Sequence, residues 1–248
     1  GKTIVKEWLY QLTAGNYNVT RSPRSYNSQI GVPLSIWKLN EESTLGIFEA
    51  GISRVQEMDN LQRIIRPTIG IVTNISSAHQ ENFSTMQEKC LEKLSLFRNC
   101  EIVIYNADDT LLANCVTRSH LPSREIAWSR KDPERPLYIK SIEKDDTGTT
   151  IRYVYLTIEN SYRIPFLDDA SIEDSISCLA AALYLMIPAS TITERMAQLE
   201  PVAMRLEVKE GKQGCLIIND SYNSDTASLD IALDFMERRS NTLPHLKR

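Results

Sequence analysis

Three short runs limit this chain more than any others: Thr44-Leu45-Gly46-Ile47-Phe48-Glu49, Ile69-Gly70-Ile71-Val72-Thr73 and the stretch from Glu101 to Tyr105. Each is almost continuously apolar instead of alternating, which is the pattern of a strand buried on both faces. Helical stretches separate them. Glu57 to Arg66 puts Leu61, Ile64 and Ile65 on one face and stops before Pro67, and Thr85 to Phe97 is the next helix. Upstream, a helix opens the chain, Asn18 to Ser22 reads as a strand, Pro23 to Gln29 as a polar loop, and Ile30 to Trp37 as a second helix with Pro33 near its first turn. Buried strands alternating with helices predict an α/β fold, a mostly parallel sheet with helices on both faces.

The pattern changes after Trp128. Leu137 to Glu143, Thr149 to Thr157 and Tyr162 to Phe166 alternate apolar with polar, and Asp145-Asp146-Thr147-Gly148 supplies a turn, so a small antiparallel meander is expected at one side of the domain. Two helices follow, Ile172 to Met186 and Thr191 to Leu199, and Pro201 marks a boundary. Beyond it Arg205 to Val208, Cys215 to Asn219 and a helix over Ser228 to Arg239 read as the opening of a second α/β unit. The expected division is 1–199 and 200–248.

Composition removes several function classes. The net charge of −4 offers no attraction to nucleic acid or an anionic membrane. The longest apolar run, Cys178 to Ile187, is too short to span a bilayer, so no membrane insertion is expected. Five cysteines with no Cys-x-x-Cys spacing argue against a zinc site or a disulfide framework and fit a reducing cytoplasm.

The chemistry begins at Gly1-Lys2-Thr3, which opens the first helix as the end of a phosphate-binding loop, G-x-x-x-x-G-K-[ST], does. There the helix N-terminus holds phosphates, the Lys reaches the terminal ones and the Thr hydroxyl ligates Mg²⁺. Such a triplet arises by chance in roughly one chain in ten of this length, so its weight comes from what lies downstream. In an open α/β sheet, ligands sit beyond the carboxyl ends of strands, where Glu49 and His79 fall. Lys93 points along the apolar stripe Met86, Cys90, Leu94, Phe97, unlike the more lateral Lys89. It is either a snorkelling lysine or one held in a cleft, where desolvation favours the neutral, reactive amine. Asn219 to Asp225 places two carboxylates and two amides in seven residues after an apolar strand, a set that suits a turn or substrate hydroxyls.

Read together, these stretches resemble the Mur ligases, ATP-dependent amino-acid ligases of peptidoglycan precursor synthesis. The resemblance covers nearly the whole chain in the family's order. Asn27-Ser28-Gln29-Ile30-Gly31-Val32-Pro33 is similar to the family's Asn-Asn-x-Ile-Gly-x-Pro. Glu49-Ala50-Gly51 matches its magnesium-ligating Glu-x-Gly, and Thr73 to Phe83 the segment carrying its magnesium-binding His. Lys93, four before Phe97, falls where the family carries a lysine carbamylated by CO₂. Asn106-Ala107-Asp108-Asp109 is similar to a strand-end motif, Arg205-Leu206-Glu207 to the start of the C-terminal domain, and Asp220-Ser221-Tyr222-Asn223 to that domain's Asp-Ser-Tyr-Asn. This last tetrad resembles the branch that adds D-alanyl-D-alanine.

The resemblance implies a P-loop central ATP-binding domain over 1–199, without its first strand and the first half of the loop. An incomplete C-terminal domain over 200–248 would follow, with a UDP-binding domain outside this sequence; the stretch alone is therefore expected to be inactive. It implies ATP contacts at Gly1, Lys2, Thr3, Asn27, Arg205 and Asp220, two Mg²⁺ held by Thr3, Glu49, His79 and carbamylated Lys93, and catalytic roles for Lys2, Glu49, His79 and Lys93. Tyr222 and Asn223 would meet substrate. The implied substrates are a UDP-N-acetylmuramoyl-tripeptide and D-alanyl-D-alanine, joined through an acyl phosphate with release of ADP and phosphate. Two stretches depart: Asp168 to Asp174 stands where Gly-x-His-Asn-x-x-Asn is expected, which leaves the adenine contacts open, and Ser224-Asp225-Thr226 replaces Ala-Asn-Pro. Three other readings stay open: a sibling ligase adding another amino acid or glutamate to a folate, a P-loop kinase or NTPase, and a non-catalytic binding relative.

Overall fold

A computed structural model describes residues 1–76, 80–203, 207–212 and 215–221, with 229–230, 232–233 and 235–237. The chain divides into two compact units, Gly1–Leu199 and Glu200–Arg248. In the first unit the order is α1 (Lys2–Thr13), β1 (Val19–Arg21), α2 (Gly31–Ile36), β2 (Leu45–Ile47), α3 (Glu57–Ile65), β3 (Ile69–Ile71), α4 (Met86–Ser95) and β4 (Ile102–Asn106). It continues through α5 (Thr110–Ser119), β5 (Arg124–Ser129), β6 (Leu137–Asp145), β7 (Gly148–Tyr155), β8 (Ile158–Ile164), α6 (Asp169–Tyr184) and α7 (Ala189–Ala197).

The described strands of this unit form two sheets. β1 and β2 pair in parallel, Val19 opposite Leu45. The other sheet runs β3-β4-β5-β6-β7-β8. It is parallel from β3 to β6 and antiparallel from β6 to β8. The expected meander is thus a continuation of the main sheet, joined where Trp128 faces Leu137 and Ser129 faces Tyr138. Sequence periodicity passes over α5 and β5. Arg124 and Glu125 make β5 look polar at its exposed start although Ile126 to Ser129 are buried.

β4 shows why a continuous apolar run means two covered faces. Val103 and Tyr105 join a core with Leu61 of α3, Leu94 of α4 and Leu112 of α5. The alternate residues Ile102 and Ile104 are equally buried and face the other side, where α6 packs on β4 and β5 and α1 packs on α6. Burying each such side chain contributes about 1.5–3 kcal/mol. Helix ends are fixed locally. Thr85 accepts from Glu88 N at 3.0 Å, Asp109 from Leu112 N at 3.0 Å, and Asp168 from Ser171 N at 2.7 Å.

β2 and β3 line one cleft between the two sheets, with Val5 and Leu9 of α1 and Phe97 after α4. Its lining is apolar along the strands and polar where they end, at Glu49 and Asn74. The second unit has an antiparallel pair, β9 (Glu207–Glu210) with β10 (Leu216–Asn219), and its described residues at 229–230, 232–233 and 235–237 are helical.

Phe97 packs so closely on β3 that a Cβ at Gly70 would stand 2.4 Å from its ring. Gly70→Ala is expected to cost about 1–3 kcal/mol, the usual range for overpacking, read as a lower urea midpoint at unchanged slope.

Candidate active site

The site is assembled where β1, β2 and β3 end against the start of α1. α1 has no side-chain cap at Gly1 and no acidic residue in its first turn, so its N–H groups and Lys2 present positive charge there. An ideal Cβ on Gly1 would lie 3.9 Å from Asn74 Oδ1, which brings the segment after β3 to the same corner.

Glu49, 5% exposed, is its centre. Thr3 Oγ1 donates to Oε2 at 2.9 Å and Asn27 Nδ2 donates to Oε1 at 2.8 Å, while the Glu49 N–H donates to Ser22 Oγ at 3.3 Å. Ser25 Oγ stands 3.4 Å from Thr3 Oγ1. A buried carboxylate needs such partners, because burial without them strongly disfavours the charge. Gly51 makes the arrangement possible. Its N–H donates to Asn27 O at 2.7 Å, and a Cβ there would sit 3.1 Å from the Asn27 carboxamide. The two sequence motifs, Asn27 to Pro33 and Glu49 to Gly51, are therefore halves of one knot.

Two lysines of α4 close the other side. Lys93 Nζ donates to Asn74 O at 3.1 Å and Lys89 Nζ to Ser76 O at 2.8 Å. Residues four apart on a helix thus hold alternate carbonyls of the segment after β3. Burial, followed by the charges of Lys2 and Lys89, pulls the Lys93 pKa down to about 7. Lys89 is also lowered, by burial first and opposed by Glu81. Lys89 corrects the sequence reading: it is 1% exposed, with its ammonium 5.8 Å from the Phe83 ring, not lateral. The apolar stripe of α4 is wide enough to enclose a second lysine, which periodicity does not reveal.

Of the other residues singled out, Thr3, Lys2, Asn27, Glu49 and Lys93 come together in this corner. His79 lies outside the described residues, as do Arg205, Tyr222 and Asn223. Asp220 follows β10 in the second unit, half-buried. Asn106 to Asp109 is occupied locally: Asn106 Oδ1 accepts from Asp108 N, Asp109 caps α5, and Asp108 accepts from Ser129 Oγ and Arg130 N. At the departing stretch, Asp168 caps α6 and Asp174 is buried. Sequence reasoning missed Ser22, Ser25 and Lys6, which carry no motif signal of their own beside the phosphate-loop residues.

The donors suit a hard cation. Thr3 and Glu49 offer oxygen only, and among the described residues no group of three or more His, Cys, Asp or Glu could hold a metal. Magnesium commonly binds in this way, through one or two protein oxygens completed by phosphate and water. Lys2 beside them suits phosphate.

Comparison with known proteins gives the family. A family model, the Mur ligase middle domain, matches residues 1–182. The chain belongs to the Mur ligase family. It is 34% identical over 229 residues to the UDP-N-acetylmuramoyl-tripeptide–D-alanyl-D-alanine ligase of Borreliella burgdorferi, covering 92% of this chain and 48% of that protein. With the enzyme of the same name from Bacillus subtilis it shares 26%, covering 96% and 51%. Among solved structures, MurF from Acinetobacter baumannii superposes with a TM-score of 0.84 at 21% identity, covering 94% of this chain and 51% of that one. A MurF ligase from Thermotoga maritima in complex with ADP gives 0.81 at 22%, covering 96% and 55%. The chain spans about half the length of the curated relatives it matches.

Lys93 makes stability depend on pH. Between about 7 and its ordinary 10.5 the unfolded chain holds a proton that the folded chain has released, so this group makes stability rise with pH across that window. Lys93→Met should be more stable relative to the parent at pH 6 than at pH 10. Denaturant titrations of both proteins at the two pH values check the sign.

Proposed function

We propose that this chain is the nucleotide-binding core of an ATP-dependent ligase of peptidoglycan precursor synthesis, joining D-alanyl-D-alanine to a UDP-N-acetylmuramoyl-tripeptide. The relatives' names support the substrates, and the observation that carries the chemistry is the buried Glu49 carboxylate engaged by Thr3 beside Lys2. Residues 1–199 act as the central domain, and 200–248 begin the C-terminal one.

In this reading Lys2 and the first turn of α1 hold the β- and γ-phosphates of ATP, as a helix N-terminus and a compact ammonium can. Thr3 and Glu49 would hold one Mg²⁺ and His79 with Lys93 a second, and the ions would supply positive charge beside the phosphoryl oxygens. Asn27 keeps Glu49 aimed. The substrate carboxylate attacks the γ-phosphoryl group, ADP leaves, and the amine of D-alanyl-D-alanine displaces phosphate from the acyl phosphate. Arg205 and Asp220 meet the nucleotide, and Tyr222 and Asn223 the substrate. The site works in the cytoplasm, where the nucleotide-linked precursor and ATP are found together.

Lys93 acts here as a carbamate. An amine brought near pH 7 by burial and by two neighbouring ammonium groups is available to CO₂, and the product is an anionic oxygen ligand. A kinase or simple NTPase would leave that amine without a task.

Two experiments on the intact ligase test the assignment. Glu49→Ala and His79→Ala should each lower turnover by about two to three orders of magnitude, the typical loss for one electrostatic contact to a transition state. Near-normal turnover of either at limiting Mg²⁺ removes that residue from the site. Lys93→Arg should be inactive and Lys93→Ala partly restored by added formate or acetate, since a guanidinium does not take up CO₂ and a small carboxylate can replace the carbamate. Wild-type turnover of Lys93→Arg refutes the carbamate.

A further inference from the structure

Lys6 is 2% exposed and has no part in the chemistry above. It lies one turn after Lys2 on α1, so both lysines share a helix face, one at the mouth of the site and one beneath it. A buried ammonium is retained only where it is fully partnered. Its Nζ donates to Ser22 O at 2.8 Å and to Arg24 O, and pairs with Glu7 Oε1 at 2.9 Å. Both carbonyls belong to the loop that leaves β1.

That loop is the one that holds Glu49. Ser22 Oγ accepts from the Glu49 N–H, Ser25 Oγ stands against Thr3 Oγ1, and Asn27 donates to the Glu49 carboxylate. Between them Arg24 takes a left-handed backbone, φ 48°, which a non-glycine residue keeps only when its surroundings hold it. The contact from Lys6 to the Arg24 carbonyl supplies such a hold. Just beyond the left-handed turn, Ser25 stands against Thr3 of α1 and Asn27 reaches Glu49 after β2.

We propose that Lys6 is a positioning residue for the cation site: it fixes the Ser22–Asn27 loop and thereby sets the aim of Glu49 and Thr3. The inference rests on the reading of Thr3 and Glu49 as Mg²⁺ ligands. Without the ammonium, the buried Ser22 carbonyl and the Arg24 carbonyl lose their donor and the loop relaxes. Residues that orient metal ligands from behind typically change metal affinity 10- to 100-fold when removed.

The test uses the intact ligase with ATP and Mn²⁺, followed by electron paramagnetic resonance, together with the rate of tryptic cleavage at the Arg24–Ser25 bond. Lys6→Met, folded by circular dichroism, should weaken Mn²⁺ binding about tenfold or more and speed cleavage at Arg24. Asn27→Ala should weaken Mn²⁺ binding comparably without speeding cleavage, and the double variant should bind no more weakly than the weaker single one, because both act through one path. A purely structural lysine would lower Tm and leave the Mn²⁺ constant of the folded protein alone, which overturns the proposal. If Lys6→Met does not fold, Asn27→Ala decides, with a wild-type Mn²⁺ constant refuting the path. Glu49→Ala separates the two claims. If it weakens Mn²⁺ binding while Lys6→Met does not, only the positioning role falls; if Glu49→Ala leaves binding unchanged, the metal reading fails and this inference with it.

Discussion

Everything at this site depends on holding one carboxylate in place inside the protein. Glu49 is buried at a strand end, where a polar group needs hydrogen-bond partners. Two side-chain donors supply them, the Thr3 hydroxyl and the Asn27 amide. Each comes from a different element, so the carboxylate ties α1, the loop after β1 and the end of β2 to one point. Gly51 matters for the same reason, since a Cβ there would press on Asn27 at 3.1 Å.

Strand direction explains part of why the residues meet. Parallel β1 and β2 end on one side, so the segments to Asn27 and Glu49 open toward the start of α1, and Asn74, after β3 of the other sheet, reaches the same corner. Lysines then do two jobs that charge alone would not separate. Lys2 is exposed and free to meet an anion, while Lys6, Lys89 and Lys93 donate to backbone carbonyls and hold the loops in place. Lys93 stands between these roles. It holds Asn74, and burial beside Lys2 and Lys89 lowers its pKa to about 7.

Much of this is legible in residue order. The buried strands, the helices between them and the tight turn at Asp145 to Gly148 follow from apolar runs and turn residues. Thr3 and Glu49 stand out because a phosphate-loop ending and a strand-end carboxylate each have a chemical meaning alone. α5 and β5 were not read from the sequence, and the charged start of β5 masks its buried half. Lys6 and Lys89 were not either. Their spacing suits solvent-facing lysines, and only the packed neighbours show them enclosed.

The order of residues by itself determined the α/β class, the type of each main element and the kinds of chemical group available, since these depend on local periodicity and side-chain chemistry. Tertiary structure decided which of those groups touch. It joined the meander to the parallel sheet, occupied Asn106 to Asp109 with turn and cap, and made Lys6 a clamp. It also lowered Lys93 by surrounding it with protein and two other ammonium groups. Burial and distance act through space, between residues as far apart in sequence as Thr3, Glu49 and Lys93, and no local pattern encodes them.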